Sequence, residues 1–320
     1  SHTPKGKAGK KGPAARPKPR PQPTAGSRKA SPVAQQQAPK PNRKAITGLL
    51  LPFHNFKAQA IVLVLLTLVA FGNSVQNQFA VDDLLVIERN QFTKEGIAGI
   101  PELLTGDSYQ GFFGKKQLLA GGRWRPLSMV TFALDYELYK IFGDRKDPSS
   151  GPINPNLPPD EQGEVELVPE VSHVINVLFY ALLVVVLLAF LRQVIFTRHP
   201  EIAFVAALIF ALHPLHTEVV ANIKSRDEIL SLLTLVLTLL YTFKAIWEPQ
   251  KQAQHLALAA FFFFLALLAK ENGLTFLAIL PMTLYVFSEK KPGQIGMLML
   301  PFVGIIGVYL VMRNAVTGID

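Results

Sequence analysis

Residues 173–191 read HVINVLFYALLVVVLLAFL, nineteen positions without a charged side chain. A run of that length matches the roughly 20 apolar residues a helix needs to cross a hydrocarbon core about 30 Å thick. Working outward, comparable runs lie at 58–75, 201–213, 229–247, 255–269, 273–288 and 294–312. The whole chain is 49% hydrophobic with a mean hydropathy of +0.28, and its apolar residues are gathered into these runs rather than spread. A soluble protein is excluded. The expected fold is an all-α polytopic membrane protein, a helical bundle of about seven spans. Runs 201–213 and 273–288 are short: thirteen residues rise only about 20 Å, so their ends stop inside the membrane depth or border a polar cavity.

Charge is as unevenly distributed as hydropathy. Residues 1–57 hold 13 of the 32 Lys and Arg and no carboxylate, so the net charge of +9 is a property of the tail. Rich in Pro, Ala, Gln, Gly and Lys, that tail buries too little apolar surface to fold and is expected to be disordered. Because it leads straight into a span, it reads as an inner-side topology signal with affinity for anionic membrane lipids rather than as a nucleic-acid binder. Its basic region is too long for a cleaved signal peptide. Two domains follow: the tail at 1–57 and a transmembrane module at 58–320. Cysteine is absent, which removes disulfides, thiolate ligands and a cysteine nucleophile together. The chain starts at Ser1 and stops at Asp320 just after an apolar segment, as a fragment or processed chain does.

With the tail inside, residues 76–172 form a large first outer loop. Inner loops then carry Arg192 and Arg198, Lys244 and Lys251, and Lys290 and Lys291, in keeping with the positive-inside rule. Residues 126–142, PLSMVTFALDYELYKIF, are apolar enough to suggest a further span. Asp135, Glu137 and Lys140 argue against it, at roughly 2.5 to 3.5 kcal/mol each near a helix centre. An amphipathic helix along the outer surface fits better, its apolar face on the bilayer or on neighbouring helices. Residues 143–170 are dense in Pro, Gly, Asp and Glu and read as a flexible insertion.

Four polar clusters interrupt the apolar pattern, and on this topology all face outward. They are Asp82-Asp83; Gly121-Gly122-Arg123-Trp124-Arg125-Pro126-Leu127-Ser128; His213-Pro214-Leu215-His216-Thr217-Glu218 running on to Lys224-Ser225-Arg226-Asp227-Glu228; and Lys270-Glu271-Asn272. Together they suit attack by a hydroxyl on an activated phosphate ester, a carboxylate taking the proton and Arg or Lys meeting the departing phosphate. Each cluster also has a plainer reading. The aspartates fit a helix cap, Trp124 with its arginines a membrane-interface anchor, Arg226 to Glu228 a set of mutual ion pairs, and Lys270 with Glu271 a surface pair. His213, His216 and Glu218 lack a recognised metal-ligand spacing and are expected to line a polar cavity where the short third span stops.

These motifs carry a resemblance. Asn77-Gln78-Phe79-Ala80-Val81-Asp82-Asp83, then Trp124 to Ser128, then HPLHTEVVA at 213–221 with SRDEIL at 225–230, then AKEN at 269–272 resemble, over residues 70–315, the transmembrane and tetratricopeptide-repeat O-mannosyltransferases and their bacterial relatives. That family lies in the GT-C superfamily of glycosyltransferases. The resemblance implies an inverting, metal-independent and cofactor-free membrane enzyme. It would move a sugar, typically mannose, from a polyprenyl-phosphate donor to a hydroxyl of a protein, glycan or lipid acceptor on the outer face. It further implies a bacterial inner membrane with the N-terminus cytoplasmic and the site periplasmic. Residue by residue, it makes Asp82 or Asp83 the catalytic base, and Arg125, Arg226 and Lys270 ligands of the donor phosphate. His213, His216, Glu218 and Glu271 then line the cavity. The chain departs from the family in lacking the repeats, in the long loop at 143–170 and in stopping after about seven spans. Two other classes compete. A transporter or flippase of lipid-linked sugar would carry its charges in mid-span, and an idle membrane scaffold would not need its aspartates.

Overall fold

A computed structural model describes residues 54–80, 82–114, 122–143 and 167–318. The expectations for the basic tail before residue 54 and for the insertion at 144–166 lie outside the described residues. Among those described, the regular structure is helical, without a strand.

Helix α1 (Phe56–Phe71) starts at Asn55, whose side chain accepts the Lys57 N–H at 2.9 Å. It ends in a tight turn at Gly72–Gln76. The first loop then makes a wide turn at Leu84–Glu88 and three short helices, α2 (Gln91–Lys94), α3 (Ile100–Thr105) and α4 (Gln110–Phe113). Next come α5 (Pro126–Phe142), α6 (Pro169–Phe190) and α7 (Pro200–Ala211), each opening on a proline. The fixed φ and missing N–H of proline suit the first helical position. The short α8 (His216–Val220) leads into α9 (Arg226–Trp247), α10 (Gln252–Ala269), α11 (Phe276–Phe287) and α12 (Pro292–Thr317).

All seven apolar runs are helices. Among the described residues, five helical stretches are long and apolar enough to cross a membrane: Phe56–Gln76, Pro169–Ile195, Ile223–Trp247, Pro249–Ala269 and Pro292–Thr317. The other two, Pro200–Ala211 and Glu271–Phe287, are the short pair. The chain is an integral membrane protein. Its lipid-facing surface is apolar, with Leu65, Val69, Ile209, Met282, Met297 and Val311 all exposed.

The central helix is α9. Its apolar stretch is 72% buried, against 28% for α1, α10 and α12, and it packs along α10 and α6. Three threonines sit inside it, and each hydroxyl donates to the carbonyl four residues back: Thr234 to Leu230 at 2.7 Å, Thr238 to Thr234 at 2.8 Å and Thr242 to Thr238 at 2.7 Å. A buried hydroxyl is thereby satisfied without a partner from another helix.

Helix α5 is amphipathic, as its sequence predicts, but its apolar face is covered by protein. Met129, Phe132, Ala133, Tyr136 and Tyr139 pack with Val86, Ile87, Leu103 and Tyr109 of the first loop. Asp135 departs from the expected polar face: it is 2% exposed and points into the bundle, where a cation neutralises it. Glu137 and Lys140 pair on the outer side at 2.9 Å.

Candidate active site

The four polar clusters converge at one end of the bundle, and the first loop is folded down onto it. Asp107 accepts the N–H groups of Tyr109 and Arg123, and the Ser108 N–H donates to the Arg123 carbonyl at 2.7 Å. Gly122 takes a left-handed φ of +52° in this crossing, a conformation glycine adopts without steric cost. Trp124 is not an interface anchor: it is 2% exposed, stacked on Tyr309 of α12, with its indole N–H on the Leu104 carbonyl at 3.0 Å.

The two adjacent aspartates occupy different environments. Asp83 is fully buried. Instead of capping the turn that follows, its carboxylate accepts the N–H of Ala80 at 2.7 Å and, 141 residues along the chain, the N–H of Lys224 at 2.8 Å. Burial pushes its pKa above the ordinary value, against the two N–H groups that favour the anion. Asp82 is exposed, and its carboxylate makes no hydrogen bond or ion pair among the described residues. The buried member therefore staples the first loop to the start of α9 and holds the other in the open. Asp83→Asn is expected to cost about 1 to 3 kcal/mol of stability, because an amide has one acceptor oxygen for two N–H donors. Thermal unfolding of the detergent-solubilised protein measures it.

The first turn of α9 sends three consecutive charges in three directions. Arg226, fully buried, forks onto Asp135 of α5 at 2.9 and 2.7 Å, and its remaining donors go to Asn176, Thr131 and the Ser172 carbonyl. Ser172 donates in turn to Asp135. All five guanidinium N–H donors are engaged within the protein, so Arg226 ties α5 and α6 to the start of α9. Asp227 accepts Arg125 at 2.7 Å and lies 3.8 Å from the Lys224 ammonium. Glu228 meets Lys270.

Arg125 is also claimed on its other edge, with Glu271 accepting Nε at 2.9 Å and Nη2 at 2.6 Å. The result is a line of alternating charge, Lys224, Asp227, Arg125, Glu271, with the Lys270–Glu228 pair next to it. Two cavities flank this line. The smaller is a shallow recess with Arg123, Arg125, Lys224, Asp227, Ser108 and Tyr109 among its lining residues. The larger, about 810 Å³, is bounded by Tyr180, Phe210, His216, Glu228, Ser231 and Asn272, with a leucine-rich wall from α9. His213 and Glu218 are exposed and line neither, and Glu271 serves as the clamp on Arg125.

The sequence reading missed Lys224 and Arg123 as cavity cations and Asp135 as the partner of Arg226. Asp135 carried a signal, a carboxylate in an apolar helix that requires a buried cation. Lys224 carried none, because its place follows from the contact of its own N–H with Asp83.

Fold and site together define a polytopic all-α membrane protein with an ion-paired polar site at one end of its bundle. Over 232 residues, 69% of its length, the chain is 26% identical to the human (Homo sapiens) protein O-mannosyl-transferase TMTC1. It is 27% identical over 238 residues to the human TMTC4 protein O-mannosyl-transferase, and 29% identical over 163 residues to the mouse (Mus musculus) TMTC3 protein O-mannosyl-transferase. The chain is a homologue of these O-mannosyltransferases, consistent with the GT-C-like resemblance of its motifs. It spans 23%, 28% and 14% of their respective lengths. No family model matches it, and no solved structure does.

Proposed function

We propose that this chain is the membrane module of a glycosyltransferase that moves a sugar, mannose on the strength of its relatives' names, from a polyprenyl-phosphate donor to a hydroxyl acceptor on a protein or glycan. One observation supports the reading: the Asp83 carboxylate accepts the Lys224 N–H, which ties the segment carrying exposed Asp82 to a residue in the wall of the Arg123, Arg125 and Lys224 cavity. That tie joins the candidate base to the candidate phosphate-binding cations, the two parts that hydroxyl attack on a glycosyl phosphate needs.

In this mechanism Asp82 takes the proton of the acceptor hydroxyl as its oxygen bonds to the anomeric carbon. The bond from that carbon to the phosphate oxygen breaks, its electron pair leaving with the polyprenyl phosphate. Attack opposite the leaving group inverts the anomeric centre. Lys224 and Arg123 meet the departing phosphate, with Arg125 contributing the edge of a guanidinium already balanced by carboxylates. No metal or other cofactor takes part. The active site faces the outer side of the membrane, the bacterial periplasm, and the tail the cytoplasm.

The test supplies purified protein with polyprenyl-phosphate mannose and a Ser/Thr peptide and measures labelled sugar on the peptide. Transfer is expected, and none with either substrate over the full concentration range would defeat the reading. Lys224→Met is expected to raise the KM for the donor about 10-fold, for loss of one charge-assisted hydrogen bond of about 1.4 kcal/mol.

A further inference from the structure

His216 begins α8 just where the short helix α7 stops, with its ring in the wall of the larger cavity. Its Nδ1 lies 2.8 Å from the Phe210 carbonyl and 2.7 Å from the Tyr180 hydroxyl. A carbonyl oxygen only accepts, so the 2.8 Å contact requires a proton on Nδ1. The Tyr180 hydroxyl then directs its own proton to the Ala211 or Phe210 carbonyl, each 3.1 Å away. Those carbonyls are among the last of α7, where i+4 partners run out, and that of Phe210 also accepts the His213 N–H at 3.3 Å. The helix end therefore fixes the histidine tautomer. In the neutral ring Nε2 is left as an acceptor, and it has no hydrogen-bond partner in the protein among the described residues.

The rest of the cavity's polar rim has the same bias. Glu228 offers a carboxylate, about half of whose side chain is exposed, and its ammonium partner Lys270 already lies against it. Asn272 supplies an amide, and the wall opposite is Leu183, Ile229, Leu232 and Leu235. A rim rich in acceptors above an apolar wall matches a sugar, whose hydroxyls donate and whose C–H face is apolar. An anionic group would meet Glu228 and a lone pair on His216, so the rim favours the glycosyl group and leaves the attached phosphate directed toward Arg123, Arg125 and Lys224. Charge on the ring is opposed by burial, which lowers its pKa, and Glu228, Lys270 and His213 are the charged or titratable groups around this rim.

We propose that His216 is a specificity-determining residue whose Nε2 accepts a hydroxyl of the donor's sugar, with Glu228 and Asn272 completing the rim. This rests on the transferase reading and adds to it where the glycosyl group is recognised. The experiment compares binding of two probes, a short-chain prenyl-phosphate mannose and the same prenyl phosphate without sugar, to the full chain in detergent. His216→Asn keeps an N–H donor for Phe210 but removes the distal acceptor, whereas His216→Gln returns an oxygen close to the Nε2 position. The Asn variant is expected to bind the sugar probe about 10-fold more weakly, the worth of one hydrogen bond in a dry site, with sugar-free binding unchanged. The Gln variant retains the preference for the sugar probe.

Equal weakening toward both probes in the Asn variant, or no weakening toward either, would overturn the assignment, as would loss of the sugar preference in the Gln variant to the same degree. Native protein that binds neither probe would overturn the transferase reading along with it. Binding of both by the native protein without the expected split would overturn the role of His216 alone.

Discussion

Asp82→Asn is expected to lower sugar transfer by about 100-fold or more, the usual range for loss of a general base, with thermal stability unchanged within about 0.5 kcal/mol, as for an exposed side chain free of contacts. The same exchange one residue later has the opposite profile, because Asp83 is buried on two backbone N–H groups. Its variant loses stability first, and activity only through a displaced loop. The two neighbours thus separate on two measurements of the same pair of proteins, turnover under saturating donor and the unfolding midpoint. A drop in turnover confined to the Asp83 variant would make Asp83 the base. Equal turnover in both variants and the native chain would remove acid-base chemistry from this pair.

The second large effect concerns the buried pair beneath the site. Arg226→Met is expected to cost about 3 to 5 kcal/mol, since it strands the Asp135 carboxylate in the protein without its cation. Asp135→Leu strands the guanidinium in the same way. The double variant, which removes both charges, is expected to recover much of the loss, because an apolar pair of similar volume avoids desolvation altogether. Unfolding midpoints of the two single variants and the double variant close the cycle. Additive losses would mean that the pair does not interact.

How much of this was legible in the chain depends on the distance between partners. The seven helical runs could be read locally, since hydropathy is a property of consecutive residues. Their observed ends extend past the apolar stretch at Pro169, Ile223 and Pro249, because the opening residues are polar or proline and do not register in a hydropathy count. The sharing of one end by four polar clusters followed from alternation of spans. What could not be read was which charge meets which. Arg125 finds Glu271 146 residues away, and Arg226 finds Asp135 91 residues away, pairings that only the packed bundle sets. The resemblance pointed to both arginines for phosphate, and motif position does not reveal that the Arg226 guanidinium has all five donors engaged while Arg125 keeps two. The compact folding of the first loop was equally hidden, its helices α2 to α4 being too short to leave a periodic signature.

The fan of charges at the start of α9 has a consequence for how this protein tolerates change in length. Successive helix positions point about 100° apart, so Arg226, Asp227 and Glu228 reach three separate partners only in their present phase. Adding one residue between Asn222 and Arg226 turns Arg226 toward the place of Asp227, against the Arg125 guanidinium, whereas removing one turns Asp227 toward the place of Arg226, against Asp135. Either change breaks the buried Arg226–Asp135 pair, which is also the pair that a single substitution disturbs most. The spacing between the Lys224 N–H and the three charges is therefore as much a part of this end of the bundle as the charges themselves.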